Sequence, residues 1–233
     1  MVGIRVADGL ASLRTRAVVA QVLLGVFLLV SALVTLAALY MAWREIRSGF
    51  NLFLFTPPLF AFFIALSVVP AALGLSFWVW RGHSNLADDQ LTGLKFGAGK
   101  AALLLWLPVA NLIVPKAAMR ELWNRSHGEE EWFGQQSVDV INSWWTCYVI
   151  GIVILTVLTL MVLIDQFTNL AFLNPPGVNM LALAFSSGLL MTSSWFLIRI
   201  IGKVTKAQET VTSIGDTFAW ACSERGATRL SPR

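Results

Sequence analysis

Residues 17–41 read AVVAQVLLGVFLLVSALVTLAALYM, an apolar run without a single charge. An α-helix needs about 20 apolar residues to cross roughly 30 Å of hydrocarbon, and this run is long enough. Three further uncharged runs of that length follow, at Leu59–Trp80, Trp144–Ile164 and Val178–Ile198. The sequence therefore predicts an all-α, polytopic membrane protein with four transmembrane helices.

Composition supports one membrane domain over residues 1–233, because 57% hydrophobic and 13% charged residues would leave a soluble domain too little polar surface. The first run follows Arg14 and Arg16 and so resembles a signal peptide. Its uncharged stretch is longer than the roughly 7 to 15 residues of a secretory h-region, which favours a retained first span. Cys147 lies inside the third run and Cys222 near the C-terminus, so we expect no structural disulfide.

The basic residues predict the orientation. With both termini cytoplasmic, 15 of the 17 Lys and Arg residues lie in the N-terminal arm, at Arg81 and in the middle segment 82–141 that follows it, and in the C-terminal segment 199–233. Arg44 and Arg47 alone remain outside, as the positive-inside rule requires. A fifth span at Phe96–Pro115 would reverse this balance and is rejected. The net charge of +4 indicates contact with anionic lipid, and nothing supports nucleic acid as a partner.

An internal repeat is visible at a constant offset of 118 residues. NLFLFTPP at 51–58 matches NLAFLNPP at 169–176, and SFWVWR at 76–81 matches SWFLIR at 194–199. A duplicated unit with two spans repeats without inversion. We therefore expect two parallel-repeat hairpins related by a pseudo-twofold axis along the membrane normal.

The segment between the hairpins departs from a plain bundle. Ala101–Val114 is too short to span, contains Pro108 and Asn111, and is closed by Pro115. We expect a re-entrant or interfacial helix that enters the cytoplasmic half of the membrane and returns. Because proline frees the carbonyl four residues before it, we expect the amide of Asn111 to satisfy such carbonyls. A role for Asn111 in lining an ion or substrate site is the alternative.

Two amphipathic helices are predicted on the cytoplasmic side. Lys116–Trp123 places Met119, Leu122 and Trp123 opposite a basic side, with Glu121 and Arg125 four residues apart, which suits a helix lying on the inner leaflet. From Val204 onward, apolar residues recur at spacings of three and four. This C-terminal amphipathic helix would cover the protein's own cytoplasmic side, lie on lipid or pair with another chain.

These residues also carry a family resemblance. WLPVANLIVP at 106–115, continuing through MRELW at 119–123, resembles the signature of the bacterial membrane family called domain of unknown function 4328, and Trp144–Trp145 and Asn85–Leu86 also fit. Gly97–Lys100 departs from the pattern, where a proline and tryptophans would begin the dipping helix. The resemblance implies a multi-pass protein of the bacterial inner membrane and no particular reaction. The motif residues that it singles out are Trp106, Pro108, Asn111, Pro115, Met119, Arg120, Glu121 and Trp123.

No pattern predicts an enzyme, a cofactor or a metal site. The two histidines, His83 and His127, lie outside the spans, so no intramembrane pair is available for haem. Ala184, Gly188 and Thr192 form a small-residue stripe that favours close helix contact, within the protein or with a partner. We expect an accessory protein that binds membrane subunits or a second copy of itself. A small transporter or channel using the broken helix is the alternative, and an intramembrane enzyme comes third.

Overall fold

The computed structural model describes residues 2–49, 57–89, 91, 93–107, 110–130, 134–168 and 174–227, with side chains from 8 to 210 apart from 57–59 and 61. Six α-helices and no strand occur in these ranges. A short 3₁₀ turn, Ala110–Leu112, precedes the fourth helix. The helices are α1 Val2–Ser48, α2 Pro57–Asp88, α3 Ala98–Leu103, α4 Val114–Ser126, α5 Asp139–Phe167 and α6 Val178–Ala227.

Four of the helices, α1, α2, α5 and α6, are long and apolar enough to cross a membrane, which confirms the predicted class. Each extends past at least one end of its apolar run, because helical hydrogen bonding continues into the polar flanks. The extension is greatest in α6, which continues without a break to Ala227 and so includes the predicted C-terminal helix. Its predicted apolar face beyond Thr210 lies outside the described side chains.

The long helices are arranged around a central pair, α1 and α6. Helix α2 packs on α1 and helix α5 packs on α6, while α2 and α5 have at most slight contact along their described lengths. Glycines permit the closest approaches: a Cβ atom on Gly74 would lie 3.2 Å from the Cα of Ala20, and one on Gly151 would lie 3.2 Å from the carbonyl oxygen of Ser186. The Ser186 hydroxyl donates to the Gly151 carbonyl at 2.7 Å, which fixes α5 against α6.

Helix α4 lies across the end of the bundle where α1 begins and α6 leaves its apolar run. Pro115, in its first turn, suits a helix start because the missing N–H group has no intrahelical partner there. Leu122 is fully buried and would contact a Cβ atom on Gly82 of α2. Helix α4 also packs on α5 and α6, so this short element joins the two hairpins at one end.

Candidate functional site

The candidate site is the broken segment between α3 and α4. Its backbone turns tightly: the N–H of Trp106 donates to the Leu103 carbonyl at 3.0 Å, and the N–H of Asn111 donates to the Leu107 carbonyl at 2.7 Å. Bonds of this kind satisfy backbone groups that a regular helix would have paired. Pro108, the first predicted breaker, lies outside the described residues.

Two side chains of this segment fasten it to two different spans. The indole Nε1–H of Trp106 donates to Ser76 Oγ on α2 at 2.9 Å. On the other side, Asn111 Nδ2–H donates to the hydroxyl of Tyr148 on α5 at 2.7 Å. The segment therefore bridges two helices that have at most slight contact with each other. Sequence reasoning assigned the Asn111 amide to backbone carbonyls and missed this side-chain partner.

The remaining motif residues divide between the two sides of α4. Pro115, Met119 and Glu121 are buried, whereas Arg120 and Trp123 are half-buried on its outer side. Met119 packs inward on the bundle, whereas Trp123 lies on the same outer side as Arg120 and not opposite the basic residues. That α4 lies on the inner leaflet stays a prediction. The helix thus uses its apolar residues to cover the ends of the spans.

Glu121 holds the loop before α3. Its Oε1 accepts a hydrogen bond from the backbone N–H of Lys95 at 2.7 Å, while its Oε2 is buried without a hydrogen-bond partner. Burial raises the pKa of this carboxyl above the ordinary value, against the opposing effect of the backbone N–H groups of Lys95 and Phe96 and the charge of Arg125. Sequence reasoning found Glu121 through the family motif and its spacing from Arg125, but not its hydrogen bond to the Lys95 backbone.

A buried amide network behind α4 was not predicted. Gln208 on α6 accepts from Asn85 Nδ2 at 3.1 Å and donates to the Gly82 carbonyl at 3.3 Å and to Ser126 Oγ at 2.9 Å. One turn away, Trp78 Nε1–H donates to Thr205 Oγ1 at 3.1 Å. These bonds tie α2, α4 and α6 together. Asn85 carried a signal in the family pattern, but nothing local marked Gln208.

His83 is a further buried polar residue that sequence reasoning did not foresee. It lies on α2, is 1% exposed, and its imidazole lies against the backbone of Ala118 on α4. No group of three His, Cys, Asp or Glu side chains suited to a metal ion occurs among the described residues. What the described polar side chains do here is hold helices and loops in fixed positions.

The small-residue stripe of α6 is used in part. Ala184 is buried, and Thr192 Oγ1 donates to the Gly188 carbonyl at 2.9 Å within its own helix. A Cβ atom on Gly188 would meet nothing nearer than a Thr35 methyl at 4.0 Å. Within the described chain the close approach occurs at Gly151, where α5 meets α6. Contact of Gly188 with a partner stays a prediction.

Four membrane-length helices joined by a broken, side-chain-anchored segment define a multi-span α-helical membrane protein. The chain belongs to the family described as domain of unknown function (DUF4328), whose model matches residues 55–206. That range includes the broken segment, α4 and the amide network's members except Gln208, and it confirms the resemblance. No curated protein and no solved structure matches the chain.

Proposed function

We propose that this protein is an accessory membrane subunit, without turnover of its own, that binds a transmembrane helix of a partner along α5. The observation that carries the proposal is the outward row of α5. Ile150, Val153, Val157 and Leu160 follow one another at spacings of three and four and are between 43% and 51% exposed. Helix α5 packs on α6 along one side and on α4 near its start. Most of its circumference is left to lipid or to a partner.

The chemistry of this row suits helix pairing. Helices associate in lipid through close packing and not through exclusion of water, so side chains with few rotamers lose little entropy when a partner helix packs on them. Three of the four residues are β-branched and therefore stiff at χ1. The spacing is that of a left-handed helix pair.

Photo-crosslinking tests this surface in the native membrane. A photoreactive residue at Val153 or Val157 should give a discrete protein adduct. Leu33 and Leu36 on α1, which are 67% and 64% exposed, are matched controls and should give none. Deleting the chain should then lower the abundance of the captured partner. Equal adducts from both helices, or none from α5, would contradict the proposal.

We also propose a bacterial inner-membrane location with both termini cytoplasmic. The positive-inside rule supports this orientation, because Arg16, Arg81, Arg199 and Lys203 all lie at the end of the bundle that carries α4. Single cysteines near Gly49, in the 82–95 segment and near Gly177, in a chain lacking Cys147 and Cys222, test it. Labelling of the 82–95 position from outside intact cells by an impermeant thiol reagent would refute the orientation.

The broken segment is proposed to enter the membrane only shallowly. Its partners Ser76 and Tyr148 each lie four residues inside an apolar run, at Leu59–Trp80 and Trp144–Ile164. At 1.5 Å per residue this corresponds to a depth of about 6 Å. Under the proposed repeat, α5 corresponds to α1 and α2 corresponds to α6. The contact between α1 and α6 would therefore have its counterpart between α5 and α2. The inserted segment lies between the latter two helices, which accounts for their separation.

Transport is the second candidate, and the same separation supports it. In this alternative the broken segment lines a route between α2 and α5, and the Asn111 amide, which reaches Tyr148 on α5, is the polar group that contacts the solute. Purified protein in liposomes should then move an ion or solute, and substitution of Asn111 should abolish that flux while the fold remains intact. Such a result would replace the accessory proposal.

A further inference from the structure

Five cations share the outward sides of α4 and α6. Arg199, Lys203 and Lys206 are exposed and follow one another at spacings of four and three along α6. Lys116 and Arg120, four residues apart, lie half-buried on the outer side of α4. Residues at these spacings share one side of a helix, so each helix presents a basic stripe.

Two tryptophans join the stripes into one surface. The Arg199 guanidinium lies 4.6 Å from the ring centroid of Trp195 on its own helix. The Lys203 ammonium lies 5.8 Å from the ring centroid of Trp123 on α4, which brings the two helices' basic residues side by side. Both distances lie within the range of cation–π attraction.

No described carboxylate neutralises the charge of this surface. None of the five cations lies within salt-bridge distance of a carboxylate among the described residues. Arg120 Nε is in addition buried without a hydrogen-bond partner. Like charges held together in this way repel one another, so an anion on the surface would stabilise it.

The position of the surface identifies the anion. Toward the membrane, the same side of α6 presents Trp195, Phe185 and Leu181, which are between 45% and 59% exposed. Tryptophan is characteristic of the membrane–water boundary, and the apolar residues beyond it suit acyl chains. We propose that α4 and α6 together bind the phosphate of an anionic phospholipid, with the chains lying along α6. The apolar continuation favours a lipid over a free phosphate ion.

Native mass spectrometry of the full chain in detergent tests this site, with phosphatidylglycerol as the probe and phosphatidylcholine, which is zwitterionic with no net charge, as the comparison. The Arg199→Gln/Lys203→Gln variant should retain phosphatidylglycerol about tenfold less well than the native chain, since each basic residue near the headgroups adds to the attraction. The matched control is Arg44→Gln/Arg47→Gln at the opposite end, where Arg47 lies 4.9 Å over Trp43 in the same kind of stack. This control should retain the lipid as the native chain does.

A thermal melt of each variant separates lost binding from lost folding. If the double variant does not fold, Lys203→Gln alone should lower retention by about threefold. Unchanged retention by the folded variant, equal loss in the control, or retention of phosphatidylcholine equal to that of phosphatidylglycerol would overturn the proposal. Displacement of the lipid by millimolar inorganic phosphate would also overturn it, because the site would then be one for a free anion.

Discussion

Replacing Asn111 by leucine should lower the free energy of unfolding by about 1 to 2 kcal/mol. The 2.7 Å bond from its amide to the Tyr148 hydroxyl is half-buried. Such a bond contributes about 1 kcal/mol net, and leaving the tyrosine hydroxyl without a partner adds part of its desolvation cost. Tyr148→Phe should cost about 1 kcal/mol for the same reason. Both substitutions remove the same hydrogen bond, so its loss is counted twice when the two single effects are added. The double variant should therefore be about 1 kcal/mol more stable than that sum implies.

Unfolding by SDS in mixed micelles, followed by tryptophan fluorescence, measures these differences. Asn142→Leu is the matched control, since Asn142 lies near the start of α5 and donates to Ser137 at the surface. It should change stability by less than about 0.5 kcal/mol. Additive losses in the double variant would refute the energetic link between Asn111 and Tyr148. Unchanged stability in Asn111→Leu would mean that the amide is solvated or serves a ligand.

Three further predictions concern the packing and charge of the bundle. Gln208→Leu removes three described hydrogen bonds and should cost about 2 to 3 kcal/mol in the same unfolding assay; a loss below about 0.5 kcal/mol would contradict the network. Gly151→Ala should lower the free energy of unfolding by about 1 to 3 kcal/mol, because the new methyl group would lie 3.2 Å from the Ser186 carbonyl oxygen. Gly188→Ala should be nearly neutral, because the nearest atom there is 4.0 Å away. Equal effects of the two substitutions would contradict the packing. Burial raises the pKa of Glu121, so the folded chain binds that proton more tightly than the unfolded chain does. Raising the pH from about 4 to 7 should therefore lower the native chain's stability relative to Glu121→Gln, and parallel pH profiles would refute this assignment.

The long helices could be predicted because their signal is local. Each apolar run is uninterrupted and long enough to identify a span by composition alone, and the break at Pro115 is likewise a property of neighbouring residues. The helix ends were less accessible. Helix α1 begins at Val2 and α2 continues to Asp88, well past the polar residues that flank their apolar runs, and hydropathy does not mark such ends.

The buried polar contacts could not be predicted because they join residues far apart in the chain. His83 is beyond an apolar run and would be exposed if α4 did not cover it, and Gln208 finds Asn85 and Ser126 only after the hairpins assemble. The small-residue stripe illustrates the same limit. The helical spacing identified Gly188 as part of a row of small residues. Only the packing of α5 on α6 shows that the two backbones approach at Gly151.

Because α6 is continuous, the side chains of its apolar part and those in the amide network keep a fixed rotation relative to one another about the helix axis. Ser186, which contacts α5, and Gln208, which contacts Asn85 and Ser126, lie on one unbroken helix. Inserting one residue between them would turn every later side chain by about 100° and shift it by 1.5 Å. Seven inserted residues would nearly restore the angle, since seven residues make close to two turns, but would displace the network by about 10 Å. The number of residues between these two contacts is therefore fixed by geometry as firmly as their identity.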